Sequence, residues 1–196
     1  MRVIDILNND GWIRKYDFYE GFMKSPYYDK LVEAYEKLNY DILFVSDIHG
    51  RNHIERVVFY SVLLSYAYKL DDDDTYILIN AASLHDTQRQ NDGWDTEHGQ
   101  RAAELSTPYA HDMKESDLGI LKAVIAAHSR EDEIMDETLR EFVGESDLAR
   151  GKELAKYFKD ADGLDRVRIN HLDPAYLRND FSRDLVDFAY EFYENF

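Results

Sequence analysis

The stretch Ser83-Leu84-His85-Asp86 constrains the chain most, because it places a histidine and an aspartate at the end of an apolar run. Ile77, Ala81 and Leu84 fall at helical spacing, which predicts a buried helix that ends at His85. An ionised carboxylate in a core is costly unless something pairs with it. A divalent metal ion is one such partner, since imidazole and carboxylate are both good ligands. A surface or helix-capping role is the alternative for a single His-Asp dipeptide.

The composition predicts one globular domain over residues 1–196. The chain is 44% hydrophobic and 14% aromatic, which is enough for a full core and excludes wholesale disorder. Since it contains no cysteine, disulfides, thiolate zinc sites and thiol nucleophiles are excluded. Neither a signal-peptide pattern nor an apolar stretch of membrane-spanning length is present. We therefore expect a cytoplasmic protein without membrane association.

The charge balance disfavours long nucleic acids as partners. With 40 acidic against 23 basic residues, the formal net charge is −17, and such a field repels polyanions. Small anionic substrates remain compatible if basic side chains gather at the site. Arginines are enriched within four positions of the polar residues discussed below: Arg51, Arg56, Arg89, Arg101, Arg130 and Arg166.

The hydrophobic periodicity predicts an all-α fold of about seven or eight helices. Helical segments are expected over 1–38, with a break at Ser25-Pro26, over 52–70, up to His85, from Glu97 to Pro108, from Ser116 to His128, over 131–142, and from Leu148 onward. A short helix starts at Asp173-Pro174, and the aromatic tail 181–196 should pack on the body. The segment 41–48 is a connector or, alternatively, a strand.

Two loops are also predicted between these helices. The acidic run Asp71–Asp74 indicates a solvated loop whose last members favour the start of the next helix. Thr87–Asp95 has a loop composition in which Trp94 is interpreted as a packing anchor. Thr96 is placed to cap the helix that follows.

Six polar residues share faces with apolar residues of these predicted helices. They are His53, His85, Asp86, His98, His128 and Asp162. Each has an ordinary explanation when taken alone, such as a hydrogen-bonded core histidine or an aspartate at a helix end. Taken together, one metal centre explains what would otherwise need six separate partners.

These residues lie in segments that resemble the HD-domain metal-dependent phosphohydrolase superfamily. The matching segments are His53-Ile54-Glu55-Arg56-Val57, Leu84-His85-Asp86, Glu97-His98-Gly99, Ala127-His128, and Lys159-Asp160-Ala161-Asp162-Gly163-Leu164-Asp165-Arg166. Their order and intervals match across about 46–168. The resemblance implies an HD-type helical bundle, with the motif core flanked by N-terminal helices over 1–40 and C-terminal helices over 173–196.

The resemblance also implies the ligands and the cofactor. A divalent ion (Mn, Mg, Fe, Ni, Co or Zn) would be held by His53, His85, Asp86 and Asp162. His98 and His128 match the additional histidines that hold a second ion in two-metal members and lie beside the scissile group in one-metal members. Asp165, the other acid of the last motif, is expected to hold Arg166 or Arg56 instead of the metal.

Two features depart from subfamilies with known substrates. Thr87-Gln88-Arg89 stands where stringent-response hydrolases carry a Glu-Asp pair. His98 is followed by Gly99 and His128 by Ser129, whereas cyclic-di-GMP phosphodiesterases have a His-Pro and a doubled histidine. Neither substrate is therefore expected for this chain.

The predicted activity is hydrolysis of a small phosphoester, with a nucleotide-like substrate favoured. Asp86 would orient or deprotonate a metal-activated water, with His98 and His128 as the other catalytic residues. Arg89, Arg101 and Arg130 are candidates for binding the phosphate, or alternatively surface ion-pair partners. Two further hypotheses remain open: a di-iron oxygenase on the same fold, and a non-catalytic sensor that binds metal or nucleotide.

Overall fold

The computed structural model describes residues 2–196, which form eleven α-helices joined by loops and short 3-10 turns, without a β-strand. The helices are α1 (Arg2–Asn9), α2 (Tyr19–Met23), α3 (Pro26–Lys37), α4 (Arg51–Tyr68), α5 (Asp72–Leu84), α6 (His98–Leu105), α7 (Leu118–His128), α8 (Met135–Arg140), α9 (Glu145–Leu164), α10 (Asp180–Asp184) and α11 (Val186–Asn195). The all-α prediction is confirmed. None of the helices in this range has the length and apolar character needed to cross a membrane.

The predicted number of seven or eight helices is wrong. The opening that was predicted as two helical pieces contains α1, a 3-10 turn, α2 and α3, while Met1 lies outside the described residues. The tail is likewise split into α10 and α11. Helices of five or six residues, such as α2 and α10, are too short to show a full hydrophobic period and cannot be counted from the pattern.

Four helices form the centre of the protein. Helix α4 packs against α5 and α9, and α7 packs against the same two helices. Every residue of α4 from His53 to Ser65 is buried, which is typical of a helix enclosed by neighbours on all sides. The apolar side chains of α5, α7 and α9 complete this core.

The start of α5 corrects one prediction. Asp71 is the N-cap of the helix, and its side chain accepts a hydrogen bond from the backbone N–H of Asp74 at 2.9 Å. The acidic residues 72–74 therefore form the first helical turn instead of a loop, because carboxylates stabilise the positive end of the helix dipole. Pro26 occupies the first turn of α3, as the break at Ser25-Pro26 predicted.

The loop between α5 and α6 differs from two further predictions, those for Trp94 and Thr96. The side chain of Trp94 is 89% exposed, so Trp94 does not anchor the loop. Polar contacts hold the loop instead: Asn91 accepts from the Gly93 N–H at 2.8 Å, and Asp95 pairs with Arg101 at 2.5 Å. Thr96 makes no cap, since Glu97 precedes α6 without a side-chain cap and Asp95 accepts from the Glu97 N–H at 3.0 Å.

The aromatic tail packs on the body, as predicted. Phe188 and Phe192 of α11 are fully buried, and their ring centroids lie 5.9 Å and 5.1 Å from the ring of Phe59 in α4. Trp12 stacks on Phe188 at 6.0 Å. This aromatic cluster fixes α11 against the outer side of α4.

We expect Phe188→Ala to lower the free energy of unfolding by about 3–5 kcal/mol, because the large ring leaves a cavity in a packed cluster. Tyr190→Ala on the same helix should cost less than about 1 kcal/mol, since Tyr190 is 41% exposed. Urea denaturation of both variants measures the difference. Equal losses for the two variants would show that α11 is not anchored through Phe188.

Candidate metal centre

Five helix ends converge at one end of the bundle and carry the predicted polar residues. His53 lies in the first turn of α4, and His98 begins α6. His85 follows the last residue of α5, His128 ends α7, and Asp162 lies in the last turn of α9. The carboxyl ends of α5, α7 and α9 direct partial negative charge toward this region, which favours a cation there.

Four side chains form a compact group around the His53 ring. His53 Nε2 lies 3.1 Å from His85 Nε2, 3.4 Å from Asp86 Oδ2 and 3.4 Å from Asp162 Oδ1. His85 Nε2 lies 3.6 Å from Asp86 Oδ2 and 4.0 Å from Asp162 Oδ1. Ligands about 2.1 Å from one ion are separated by about 3.0–3.4 Å at octahedral and tetrahedral angles. His53 and His85 thus have, with each other and with each of the two carboxylates, about the spacing of ligands on one ion; we call these four side chains the first centre.

The other oxygen of Asp86 faces a second histidine pair. Asp86 Oδ1 lies 3.0 Å from His98 Nε2 and 3.8 Å from His128 Nε2, and these two nitrogens are 2.8 Å apart. We call Asp86, His98 and His128 the second centre. Asp86 therefore stands between the two histidine pairs with one oxygen directed to each.

The four histidines are all oriented by an acceptor on their Nδ1 side. Nδ1 of His85 lies 3.0 Å from the Ala82 carbonyl, and Nδ1 of His53 lies 2.8 Å from Asp165 Oδ2. Nδ1 of His98 and of His128 contact the carbonyl oxygens of Asp95 and Ile125. Since these oxygens only accept, each Nδ1 carries the hydrogen, and in the neutral ring each Nε2 presents a lone pair.

The facing Nε2 atoms indicate whether these residues can hold a metal ion. Two bare Nε2 atoms at 3.1 Å or 2.8 Å repel each other, so each pair requires either a shared proton or a cation. Burial lowers the pKa of His85 to about 3 and also lowers the pKa of His98, which disfavours the additional proton on either ring at neutral pH. A divalent ion satisfies two lone pairs and the neighbouring carboxylates together. The donor set therefore fits a metal ion.

The two carboxylates of the first centre are ionised in their surroundings. Burial raises the pKa of Asp86, but the neighbouring imidazoles of His85, His128, His49 and His53 outweigh this effect and hold the pKa well below its ordinary range. Burial likewise raises the pKa of Asp162, and His53, Arg168 and His85 reverse the direction. Both side chains are consequently available as anionic ligands.

Asp165 binds Arg56, one of its two predicted partners, and also holds His53 from outside the first centre. It accepts from His53 Nδ1 at 2.8 Å and receives two bonds from Arg56, at 2.5 Å from Nε and 3.0 Å from Nη2. The carboxylate fixes the tautomer and direction of the imidazole, an arrangement common behind metal-binding histidines. The alternative partner, Arg166, is exposed and does not contact Asp165.

Gly99 allows the second centre to close. A Cβ atom at this position would lie 2.8 Å from the Ile125 carbonyl oxygen and 2.6 Å from Ser129 Oγ. Any larger residue would push the start of α6 away from the end of α7. The glycine therefore permits the close approach that brings the rings of His98 and His128 to a centroid distance of 4.7 Å.

The three arginines predicted to bind phosphate differ in position. Arg89 reaches the centre itself, with Nε donating to Asp86 Oδ1 at 2.8 Å. Arg101 pairs with Asp95 and donates to the Gln88 carbonyl. Arg130 pairs with Glu97 at 3.2 Å and Glu141 at 3.7 Å. Of the three, only Arg89 contacts a residue of the two centres.

The sequence reasoning missed His49 and Arg168. His49 Nδ1 lies 3.0 Å from Asp86 Oδ2 and 3.2 Å from Arg168 Nη2. Arg168 Nη1 lies 4.0 Å from Asp162 Oδ1 and 3.6 Å from Asp165 Oδ2. His49 stands four residues before His53, but it precedes α4 and belongs to no apolar stripe. The sequence therefore carried no signal for His49; the adjacent Gly50 permits the tight approach to Ser46, whose carbonyl oxygen would lie 2.2 Å from a Cβ atom at that position.

The centre is secluded but has an open side. The side chains of His53, His85, Asp86, His98 and His128 are each at most 4% exposed, whereas Asp162 is 23% exposed. A surface cavity of about 190 Å³ is lined by residues that flank His98 and His128 in the chain: Thr96, Glu97, Arg130, Glu131 and Ile134.

Comparisons with known proteins add no relative: no protein-family model, no curated protein and no solved structure matches the chain.

We expect Asp165→Asn to weaken binding of the first metal ion by about 10- to 100-fold, because an amide cannot satisfy both the His53 Nδ1–H and the two Arg56 donors. Asp180→Asn is the matched control, since its side chain is 97% exposed. Equilibrium dialysis against Mn²⁺ with elemental analysis measures both variants. Wild-type affinity for Mn²⁺ in Asp165→Asn would show that Asp165 does not support the first centre.

The metal-free protein should lose stability as the pH falls below about 6.5. In the unfolded chain His85 takes up a proton near pH 6.5, whereas the folded chain resists this until about pH 3. Between these values the unfolded state binds more protons, so stability rises with pH by up to about 1.4 kcal/mol per pH unit from this group. Urea denaturation in EDTA from pH 4 to 8 should show a smaller slope for His85→Asn. An unchanged slope would mean that His85 is not buried as the neutral ring.

Proposed function

We propose that this chain is a metal-dependent phosphohydrolase of the HD superfamily, which hydrolyses a small phosphoester, with a nucleotide-like substrate favoured. The observation that carries the proposal is the two pairs of facing Nε2 atoms, 3.1 Å and 2.8 Å apart, on the two sides of the ionised Asp86. The order of the HD-type motifs and the all-helical architecture support it. The proposed cofactor is a divalent ion held by His53, His85, Asp86 and Asp162.

The chemistry supplied by such an ion is the activation of a water molecule, whose pKa falls from about 16 to near 7 on a metal. Asp86 is the residue assigned to orient this water, because its carboxylate is ionised and reaches both centres. The general principle is that a base must lie within hydrogen-bond reach of the proton that it accepts.

The neighbouring residues serve the phosphate group in this proposal. His98 and His128 face the side of Asp86 opposite to the first centre, where a phosphoryl oxygen or a second ion is placed. Arg89 is the proposed phosphate contact among the arginines, since its guanidinium is only 11% exposed and lies at Asp86. Guanidinium suits the planar, charged oxygens of phosphate.

A di-iron oxygenase is the second candidate function. It is favoured by one observation, the second histidine pair, which gives the two-centre arrangement around one bridging carboxylate. Oxygen consumption that depends on added iron distinguishes it from hydrolysis. A sensor without catalysis would bind a nucleotide and release no phosphate.

We expect Asp86→Ala to reduce phosphohydrolase turnover by about 100- to 10,000-fold or more while the fold is retained. Loss of this carboxylate removes a metal ligand together with the group that orients the water. The assay compares wild type, Asp86→Ala and the exposed control Asp184→Ala on nucleoside monophosphates, cyclic dinucleotides and aryl phosphates, each with Mn²⁺, Mg²⁺, Ni²⁺ and Fe²⁺.

Circular dichroism of each variant controls for folding in this assay. Wild-type turnover by Asp86→Ala on any substrate would place the chemistry elsewhere in the chain. A wild type inert on the whole panel would contradict the hydrolase and direct attention to the oxygenase or the sensor.

A further inference from the structure

Arg89 binds the same oxygen of Asp86 that faces the second centre. Its Nε donates to Asp86 Oδ1 at 2.8 Å, and His98 Nε2 approaches the same oxygen at 3.0 Å. The guanidinium is 11% exposed and Asp86 is 2% exposed, so water screens this charge poorly. A cation bound by His98 and His128 would therefore lie beside a positive charge that is already in place.

Three guanidiniums lie beside the three carboxylates of the site. Arg89 pairs with Asp86, Arg56 binds Asp165 through two bonds, and Arg168 lies 4.0 Å from Asp162 Oδ1. The nearby ammonium of Lys159 is engaged separately by Asp132 at 2.6 Å. The three carboxylates and three guanidiniums thus balance before any metal ion is bound.

The two centres differ in how they tolerate the added charge of an ion. The first centre offers two carboxylates, Asp86 and Asp162, together with two imidazoles. The second centre offers two imidazoles and, as its only carboxylate, the shared Asp86. Because a first divalent ion already leaves an excess of positive charge, a second one adds further charge without a new anionic ligand.

We propose that Arg89 makes occupancy of the second centre dependent on a bound anion, with phosphate or a phosphoryl group of the substrate supplying the missing negative charge. The resting protein then holds one divalent ion, and the second ion enters together with the phosphate. This inference rests on the proposed metal centre, but it does not require that any phosphoester be hydrolysed.

The test is the Mn²⁺ stoichiometry of the EDTA-treated and dialysed protein, measured by equilibrium dialysis and elemental analysis with and without inorganic phosphate. Wild type should bind one Mn²⁺ without phosphate and two with it. Arg89→Gln should bind the second Mn²⁺ at least about tenfold more tightly without phosphate, because the repelling charge is gone.

Three variants make the result specific. Arg89→Lys keeps the charge and should behave as wild type, which separates charge from the loss of the arginine side chain. Arg140→Gln alters an exposed arginine that pairs with Glu145 and should change nothing. His98→Asn should lose the second Mn²⁺ with phosphate present and keep the first, which locates the second ion.

The inference is overturned if phosphate leaves the wild-type stoichiometry unchanged, or if wild type and Arg89→Gln bind the second Mn²⁺ equally well without phosphate. Those results leave the first centre and the proposed hydrolase intact. Failure of wild type to bind any Mn²⁺, with circular dichroism showing a folded protein, overturns both the inference and the metal centre on which it rests.

Discussion

The rest of the site depends on two pairs of buried imidazole rings whose Nε2 atoms face each other at 3.1 Å and 2.8 Å. Their Nδ1 hydrogens are committed to the Ala82, Asp95 and Ile125 carbonyls and to Asp165, so none of the rings can turn to relieve the repulsion without losing a buried hydrogen bond. Asp86 lies between the pairs with one oxygen toward each. A cation is the simplest species that satisfies this arrangement.

The fold supplies this arrangement by bringing helix ends together. The carboxyl ends of α5, α7 and α9 meet the first turns of α4 and α6, and Gly99 lets the start of α6 approach the end of α7 closely. Around them the charges are paired one to one, so a chain whose net charge is −17 has a site that is nearly neutral before metal binds. The acid excess of the chain disfavours a long polyanion as a partner.

The sequence predicted the residues whose signal is periodic. His53, His98 and His128 share faces with apolar residues, and the structure brings all three to the site. His49 and Arg168 could not be found in this way, since they lie outside the apolar stripes, and their positions depend on how separate segments pack. Trp94 was misjudged because a loop held by polar contacts does not require an aromatic anchor. The contact between Arg89 and Asp86, in contrast, is local, since the two residues are three positions apart.

The most direct test of the metal centre is anomalous diffraction from crystals of protein purified without added metal, recorded at the absorption edge of the element that elemental analysis finds. The account predicts an anomalous peak among His53 Nε2, His85 Nε2, Asp86 Oδ2 and Asp162 Oδ1, about 2.0–2.2 Å from each ligand atom. Crystals grown with excess Mn²⁺ that show these four side chains in place and no anomalous density among them would contradict it.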